Sequence, residues 1–403
     1  MTRSEVTAET PVPPAAARPL GLIVIIGALS AFGPLSIDMY LPGLPALSGD
    51  LGGAAWQVQL TLSACLLGLA AGQVVAGPMS DSLGRRRPLL VGLLAYAVTS
   101  ALCALAPSMP ALILLRLLQG AAGAVGIVIA RAAVRDRYTG IEMARFFAMT
   151  MAINGMAPIL APVLGGLLLQ VTSWRGVFVV LAAIGLALLA AAFGLSESLP
   201  AERRQVGGLR ATLAAFRVLL GDRRFVGYAL ASGLAFAAMF AYISGSPFAL
   251  QQIYGVSPQG FSLIFASNAI GIVAASQISA RLVGRVHPRR LMALGIGGSL
   301  VGGLLLIAAV VSGAGVLSVV PAFFVAVASI GLIGPNATSL AFEDLPREIV
   351  GSASGLMGVL QFLIGAGVSP LVSAFGTASA LPLAIVMAAM SASAGAVFLL
   401  RTQ

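Results

Sequence analysis

The amino-acid sequence predicts an all-α membrane protein with twelve transmembrane helices in two pseudo-symmetric six-helix bundles. Three observations predict this fold class. The chain of 403 residues is 59% hydrophobic and only 9% charged, with a mean hydropathy of +1.02, which leaves too little polar surface to cover a soluble globule. Apolar stretches long enough to span a bilayer recur along the chain, and one short motif recurs in its second half.

The apolar stretches set the number of helices. A spanning helix needs ~20 mainly apolar residues. Glycine and proline are tolerated within it, because neighbouring membrane helices satisfy the backbone groups that these residues disturb. Twelve stretches fit this description, at about 20–41, 56–78, 88–107, 109–131, 146–169, 175–196, 225–249, 258–281, 290–312, 314–341, 352–374 and 378–400.

The basic residues predict the orientation. All 23 are arginine, and with a cytoplasmic N-terminus all but two lie on the inner side. The exceptions are Arg116, within a helix, and Arg175, in an outer loop, so the positive-inside rule predicts that both termini are cytoplasmic. The net charge of +10 suits contact with anionic lipid of the inner leaflet. Nucleic-acid binding is not expected, since the arginines are scattered over short loops without interleaved aromatic residues.

The longest polar segment between helices divides the chain. Residues 1–19 are polar and rich in proline and alanine, which predicts a disordered cytoplasmic tail. Residues 20–196 and 225–403 are predicted to form the two six-helix bundles, joined by a cytoplasmic linker at 197–224. An internal echo supports this division, because "SDSLGRRRPLL" and "ARLVGRVHPRRLM" align at an offset of 200 residues. In transporters built from such repeats the substrate site lies near the midplane between the halves.

Asp38 is the only acidic residue within an apolar stretch. An ionised carboxylate in hydrocarbon costs ~2.5–3.5 kcal/mol or more. If helix one continues to about Pro45, Asp38 lies ~10 Å below the outer end, level with Arg116 of helix four. One interpretation is a structural ion pair, in contact or across a water-filled cavity. The other is a proton-coupling pair, in which Asp38 alternates between protonated and charged states, Arg116 tunes the equilibrium and a cationic substrate competes for the carboxylate.

Six short motifs lie in or next to the predicted helices. They are "GPMSDSLGRRRPLL" from Gly77, "RLLQG" from Arg116, "GMAPILAPVLGG" from Gly155, "SIDMYLP" from Ser36, "FAYISGSPFALQQIYGVSPQGF" from Phe240 and "SESLPAERR" from Ser196. Together they resemble the major facilitator superfamily and, within it, the drug:proton antiporters of the Bcr/CflA (bicyclomycin and chloramphenicol resistance) group. The resemblance covers nearly the whole chain. It departs from the usual pattern at Ala161, where glycine is usual, and at Ser196, where proline is usual.

The resemblance implies a conformational switch in the first inner loop. The signature residues are Gly77, Asp81, Gly84, Arg85 and Arg86. The glycines permit a tight turn between helices. By resemblance, the loop contacts the start of helix eleven, and Asp136 pairs with Arg85 as a latch that breaks on switching. The alternative is a turn whose arginines only hold the orientation.

Helix five and other polar residues complete the predicted site. By resemblance, the antiporter helix contains Gly155, Pro158, Pro162, Gly165 and Gly166. Its small residues allow close helix approach and its prolines can bend the helix, although ordinary packing explains them too. Candidates for lining the substrate site are Tyr40, Gln119, Asn154, Tyr242, Ser244, Asn268, Asn336 and Gln361. The alternative is that these residues hydrogen-bond neighbouring helices.

These patterns favour proton-coupled efflux of small drug-like amphiphilic compounds by alternating access across a bacterial inner membrane. An exporter of a metabolite such as an amino acid, or a proton-symport importer, is the alternative. One loop histidine and two scattered cysteines make no catalytic constellation, and a chain without lysine has no ATP-binding P-loop. We therefore expect a monomeric transporter and not an enzyme. Its expected partners are protons, a small-molecule substrate and the lipid bilayer, with no metal or cofactor.

Overall fold

Helices make up the regular structure of the described chain. The computed structural model describes residues 20–138, 140–204, 208–346, 349–374 and 379–401. Within these ranges it contains sixteen α-helices, a few short 3-10 and π turns, and one isolated β-bridge between Val283 and Val286. The predicted tail at 1–19 lies outside the described residues.

The helices are defined as follows. The first eight are α1 (Leu20–Ser30), α2 (Phe32–Asp38), α3 (Leu44–Asp50), α4 (Ala55–Leu83), α5 (Arg86–Ala104), α6 (Met109–Arg137), α7 (Gly140–Leu168) and α8 (Trp174–Phe193). The other eight are α9 (Gly208–Gly221), α10 (Arg223–Phe248), α11 (Pro258–Leu282), α12 (Pro288–Val311), α13 (Val316–Ala328), α14 (Gly334–Phe342), α15 (Val350–Ala374) and α16 (Leu381–Arg401). We call α1–α8 the N-terminal set and α10–α16 the C-terminal set.

Each of the twelve predicted membrane helices has a helical counterpart. Among the described residues, ten helical stretches are long and apolar enough to cross a membrane, and a bent pair, Val24–Ser30 with Phe32–Asp50, makes an eleventh. Helix α7 occupies the place of the fifth predicted helix, with 152–168 as its apolar part. These elements confirm the all-α membrane fold class that the sequence predicts.

The first membrane helix is broken, which corrects the prediction of one helix as far as Pro45. Its two parts meet at Ala31 with a bend of 50°, and α2 ends at Asp38. Pro34 explains the break, because a proline has no N–H to donate one turn back and its ring clashes with the carbonyl there. Asp38 lies beyond this break, at the end of α2, and the chain continues through a 3-10 turn at Leu41–Gly43 into α3.

Two further segments differ in detail from a plain helix or linker. The tenth predicted helix divides into α13 and α14 around a 3-10 turn at Ser329–Leu332. Pro335 follows this turn at the start of α14, where its missing N–H costs no helical hydrogen bond. The predicted linker contains α9, which packs against α4, α10 and α15 and buries Leu219 completely.

Helices α4 and α6 pack backbone against backbone. A Cβ atom at Gly120 would lie 2.1 Å from the carbonyl oxygen of Cys65, and one at Gly68 would lie 2.1 Å from that of Leu117. Only glycine fits at either position, and such small residues let membrane helices touch. The contact fixes the position of α6, which carries Arg116.

Among the described residues, the hydrogen bonds between the two sets of helices all lie on one side. We call the side of the α4–α5 turn (84–85) the arginine-rich face, and the side of the α10–α11 connection (249–257) the opposite face. Five side chains donate to backbone carbonyls of the other set: Gln59 to Ser244 (3.2 Å), Ser63 to Ala366 (2.7 Å), Ser369 to Gln59 (3.4 Å), Gln251 to Pro42 (3.2 Å) and Gln259 to Gly166 (3.1 Å). All five lie toward the opposite face. In the described part of the chain, no hydrogen bond joins the sets at the arginine-rich face.

Glu197 caps the start of α5, a role that the sequence did not reveal. Its carboxylate accepts hydrogen bonds from the backbone N–H groups of Arg85 (2.8 Å), Arg86 (3.1 Å), Ser198 and Leu199. The first N–H groups of a helix need such acceptors, and a negative charge is favourable there. Burial raises the pKa of Glu197, but the four hydrogen bonds outweigh it and hold the pKa below its ordinary value.

We expect Gly120→Ala to destabilise the protein. The added methyl group would overlap the Cys65 carbonyl, and overpacking of this kind costs ~1–3 kcal/mol. Thermal unfolding of the purified protein in detergent measures the effect. Gly367→Ala is the matched control, because nothing lies within 4 Å of a Cβ atom at Gly367. Equal melting temperatures for the two variants would contradict the close contact.

We also expect Glu197→Gln to lower the melting temperature at neutral pH, and the difference from wild type to shrink in acid. A carboxylate whose pKa is lowered by folding stabilises the protein above its unfolded pKa and loses that contribution as the pH falls through the folded pKa. Unfolding scans from about pH 7 to about pH 3 test this, with the exposed Glu202→Gln as control. A difference that stays constant with pH would rule out the charged cap.

Candidate functional site

Asp38 is a buried carboxylate without a partner. It ends α2, and only 5% of its surface is exposed. Among the described residues, no donor hydrogen-bonds to it and no cation pairs with it. The ionised form is therefore costly at this position, because no opposite charge or donor replaces its lost hydration.

Arg116 binds the end of the helix that carries this carboxylate. Its guanidinium is fully buried; Nη2 donates to the carbonyl oxygen of Ser36 at 2.9 Å, and Nη1 donates to Gln119 Oε1. The cation also lies 5.2 Å from the ring centroid of Tyr40 and 5.5 Å from that of Phe178, distances at which aromatic faces attract cations. The Ser36 carbonyl belongs to the last turn of α2, which carries partial negative charge. Arg116 thus stabilises that turn.

The two buried charges are therefore separate in this conformation. In the described part of the chain no ion pair joins Asp38 to Arg116. The structure does not support the interpretation of a directly bonded structural pair, which the sequence left open. Arg116 instead bonds the backbone of α2 two residues before Asp38.

A polar network behind Arg116 contains residues that the sequence analysis missed. Gln119 Nε2 donates to Ser100 Oγ at 2.7 Å, and the hydroxyls of Ser36 and Tyr96 are hydrogen-bonded at 2.7 Å. Tyr96 and Ser100 lie one turn apart on α5. Two polar residues at this spacing within an apolar helix could have indicated a polar contact with a neighbouring helix. The network fixes Gln119 as a support of Arg116 and not as a free group.

Tyr242 and Asn268 lie together in the C-terminal set. The Tyr242 phenol accepts a hydrogen bond from Asn268 Nδ2 at 2.7 Å. Its ring packs on Phe265 and Phe323, with centroids 5.4 and 5.1 Å apart. The structure thus brings together two predicted lining residues, Tyr242 and Asn268.

Most of the other predicted lining residues form hydrogen bonds within a helix or between helices. The Ser244 hydroxyl donates to the Ala241 carbonyl of its own helix, and Gln361 Nε2 donates to Ser232 Oγ at 2.9 Å. Asn336 Nδ2 donates both to Ser279 Oγ and to the Leu332 carbonyl, each at 2.7 Å. Asn154 on α7 is half-buried, and the Tyr40 hydroxyl lies 3.4 Å from Thr61 Oγ1. Asn336 and Gln361 connect helices within the C-terminal set, which is the alternative that the sequence left open for them.

The glycines of α7 allow close contact with residues of both the N-terminal and the C-terminal set. A Cβ atom at Gly165 would lie 2.1 Å from the carbonyl oxygen of Met39, next to Asp38, and one at Gly166 would lie 2.4 Å from Ser262 Oγ on α11. Gly155 faces Val273 of α11 at an ordinary distance of 3.6 Å. Helix α7 is continuous from Gly140 to Leu168 although Pro158 and Pro162 lie inside it.

The predicted switch residues cluster at the α4–α5 turn. Arg85 Nε donates to Asp136 Oδ2 at 2.9 Å, and Nη1 donates to Asp81 Oδ1. Asp136 therefore pairs with Arg85 in this conformation, and its role as a latch stays a prediction. Arg86 Nη2 donates to the Phe193 carbonyl at 2.9 Å. In this conformation no hydrogen bond or ion pair joins the described residues 77–87 to the start of α15. The contact with helix eleven stays a prediction.

One assignment within this motif is wrong. Gly84 has a φ of +88°, a conformation that favours glycine, and it follows α4 in the predicted turn. Gly77 instead lies inside α4, with nothing within 4 Å of a Cβ atom built there. The tight turn therefore depends on Gly84 alone.

The chain is similar to known proteins along most of its length. The model of the Major Facilitator Superfamily matches residues 25–370. An uncharacterised MFS-type transporter, YdgK, of Bacillus subtilis (strain 168) is 40% identical over 371 residues, 91% of this chain and 92% of that protein. A bicyclomycin resistance protein homolog of Haemophilus influenzae is 29% identical over 91% of this chain and 92% of that protein. A chloramphenicol resistance protein of Pseudomonas aeruginosa is 32% identical over 85% and 82%.

The fold is also that of a solved transporter. The crystal structure of a D-xylose-proton symporter matches with a TM-score of 0.78 and 15% identity, covering 96% of this chain and 98% of that one. At this identity the likeness concerns the fold alone. With the family match and the relatives, the chain is a transporter and not an enzyme. It belongs to the major facilitator superfamily and, within it, to the Bcr/CflA group.

Proposed function

We propose that this protein exports small drug-like amphiphilic compounds in exchange for protons. The observation that carries the proposal is Asp38, a buried carboxylate to which no donor or cation is bonded among the described residues. It lies just before the turn at 41–43, which packs against α10 and α11 of the C-terminal set. The names of two relatives, which concern resistance to bicyclomycin and chloramphenicol, support a drug-like substrate.

The lack of a partner lets Asp38 exchange a proton for a substrate. In a low-dielectric interior the ionised carboxylate is stabilised by a bound compound that offers N–H or O–H groups or a positive charge. When the site is empty, protonation removes the uncompensated charge. A proton and a substrate therefore compete for the same carboxylate, which is the thermodynamic requirement for antiport.

Arg116 is a positioning residue in this scheme. It holds the last turn of α2 through the Ser36 carbonyl and leaves the carboxylate two residues later unpaired. Gly165 of α7 fixes the next residue, Met39, from the other side. Movement of α6, which carries Arg116, or of α7, which carries Gly165, would therefore change the surroundings of Asp38.

The described conformation fits one state of an alternating-access cycle. We propose that the arginine-rich face is cytoplasmic, with both termini on that side of a bacterial inner membrane, so the five hydrogen bonds between the sets close the outer side. Each neutral hydrogen bond contributes only ~0.5–1.5 kcal/mol, so this closure is readily reversed. The Arg85–Asp136 pair and a contact of its loop with α15 would form the latch on the inner side.

The cycle then has four steps. Asp38 takes a proton from outside, the protein switches inward, a substrate from inside displaces the proton, and the loaded protein returns. We propose that the moving units are the bundles at 20–196 and 225–403, linked by 197–224, and that a monomer is sufficient. Import by proton symport differs in that proton and substrate move together, so the direction of proton flux distinguishes the two.

We expect Asp38→Asn to abolish substrate-driven proton movement. The amide keeps the shape of the side chain but takes up no proton. The measurement uses proteoliposomes with an imposed pH gradient and an internal pH dye, to which amphenicols, lipophilic cations and amino acids are added in turn. Asp344→Asn, an exposed carboxylate bonded to Arg224, is the control. Substrate-driven flux that is equal in wild type and Asp38→Asn would exclude this carboxylate as the coupling group.

We expect Arg116→Lys to reduce transport roughly ten-fold. A lysine keeps the charge but lacks the planar fork that bonds two acceptors and lies on two rings, and a hydrogen bond from a charged group contributes ~1.5–3 kcal/mol. The same assay, with initial rates measured against pH, tests this. Arg224→Lys, on the exposed pair with Glu343, is the control. Wild-type rates and an unchanged pH profile for Arg116→Lys would contradict its positioning role.

A further inference from the structure

The interface between α4 and α15 joins the N-terminal set to the C-terminal set. Two hydrogen bonds define its register: Ser63 Oγ donates to the Ala366 carbonyl at 2.7 Å, and Ser369 Oγ donates to the Gln59 carbonyl at 3.4 Å. The two helices are therefore antiparallel, and the start of α4 lies beside the end of α15. All four residues are buried. In this conformation the interface keeps the two sets together toward the opposite face.

Pro370 explains why one of the two acceptors is available. In an α-helix the carbonyl of residue i accepts a hydrogen bond from the N–H of residue i+4. Pro370 lies inside α15 and has no N–H, so the Ala366 carbonyl, four residues earlier, lacks this partner within its own helix. A buried backbone carbonyl without a donor costs free energy. Ser63 supplies the donor from the other set of helices.

The second hydrogen bond of the interface provides a comparison. The Gln59 carbonyl lies in the first turns of α4, where the N–H of Ser63 is its ordinary helical partner. It accepts from the Ser369 hydroxyl at 3.4 Å, which is longer than the about 2.5–3.0 Å that is usual between a hydroxyl and an oxygen acceptor. The carbonyl freed by the proline accepts at 2.7 Å. The bond from Ser63 to Ala366 is therefore the stronger of the two.

A carbonyl without a helical partner can change partners at no cost to its helix. While the sets are together on this side, the Ala366 carbonyl accepts from Ser63. When they separate, water takes the place of the hydroxyl, and α15 loses no hydrogen bond of its own. The exchange of a protein donor for water changes an equilibrium by only about two- to ten-fold. Such a bond favours the closed state and still allows it to open.

We propose that Ser63 and the Ala366 carbonyl form a releasable clasp that holds the opposite face closed, and that Pro370 keeps this carbonyl free to accept from Ser63. The inference rests on the proposed alternating-access cycle and identifies residues that regulate one of its steps. Loss of the clasp shifts the equilibrium toward the state that is open on the opposite face. Pro370 acts on this equilibrium through Ser63.

The test measures the distance between the two sets at the opposite face. Nitroxide labels are attached to Thr172→Cys, after α7, and to Gln252→Cys, in the α10–α11 connection, in the full chain with its two native cysteines replaced by alanine. Both labelled positions are exposed, and Thr172 borders the same outer crevice as Gln251 of the other set. Electron–electron double resonance in lipid nanodiscs at several pH values gives the populations of short and long distances.

The variants form a double-mutant cycle. They are Ser63→Ala, Pro370→Ala and the two substitutions together, each compared with the labelled parent protein. Ser63→Ala removes a single oxygen atom, which protects the test against misfolding. Ser299→Ala is the matched control, because it also removes a buried serine hydrogen bond, to Ser391 Oγ at 2.9 Å, but one that lies within the C-terminal set.

We expect Ser63→Ala to raise the ratio of open to closed protein about two- to ten-fold, and Ser299→Ala to leave it unchanged. Pro370→Ala should raise the ratio by a smaller factor, because its new N–H competes with Ser63 for the carbonyl. In the double variant it should add nothing to the effect of Ser63→Ala, which is the coupling that a double-mutant cycle detects.

Two results would overturn the clasp and leave the export function standing. One is an equal ratio in the parent protein and Ser63→Ala, and the other is full additivity of Ser63→Ala and Pro370→Ala. A single distance in the parent protein at every pH would count against the alternating-access cycle and the clasp together.

Discussion

The hydrogen bond from Arg116 to the Ser36 carbonyl is the interaction on which the rest of the site depends. Helix α2 has only seven residues and follows a break at Ala31, so its own hydrogen bonds do not suffice to hold it. Arg116 places a cation at its negative end and is itself fixed by two rings and Gln119. The close contact of α4 with α6 fixes the position of α6 and therefore the position of the Arg116 guanidinium.

The unpaired state of Asp38 follows from this arrangement. The one buried cation nearby is committed to a backbone carbonyl and to aromatic faces, so the carboxylate keeps no permanent counter-charge. A bonded ion pair would stabilise the carboxylate in its ionised state and remove the reason for a proton or a substrate to bind. Two amide side chains, Gln59 on α4 and Asn268 on α11, are similar in one respect. Each donates a hydrogen bond through its N–H group to a neighbouring helix, and its oxygen accepts none.

Most of the fold could be predicted from the sequence, because the twelve apolar stretches are visible in the order of residues along the chain. The break before α2 could not, since a proline in a membrane helix is not decisive: Pro34 accompanies a break, whereas Pro158 and Pro162 lie inside a continuous α7. Asp38 and Arg116 stood out as the buried charges. That they do not pair depends on side-chain directions after the bend, which spacing along separate helices does not encode.

Other parts of the site depended on contacts between distant helices. Tyr96, Ser100 and Gln59 are ordinary polar residues in apolar stretches, and only packing shows that the first two support Gln119 and Ser36 while the third faces α10. Glu197 was visible only as part of a motif, and its role as the cap of α5 required the positions of residues 85 and 86. Gly77 was predicted from its motif to lie in a turn, but it lies inside α4.

The central claim is that a substrate and a proton compete for Asp38. The most direct measurement is proton release on binding: chloramphenicol is added to purified protein in weakly buffered detergent solution near pH 7, and a pH indicator is read alongside the amount bound. The account predicts up to about one proton released per molecule bound by wild type, and none by Asp38→Asn. Equal proton release by both proteins, or binding by wild type without any release, would contradict it.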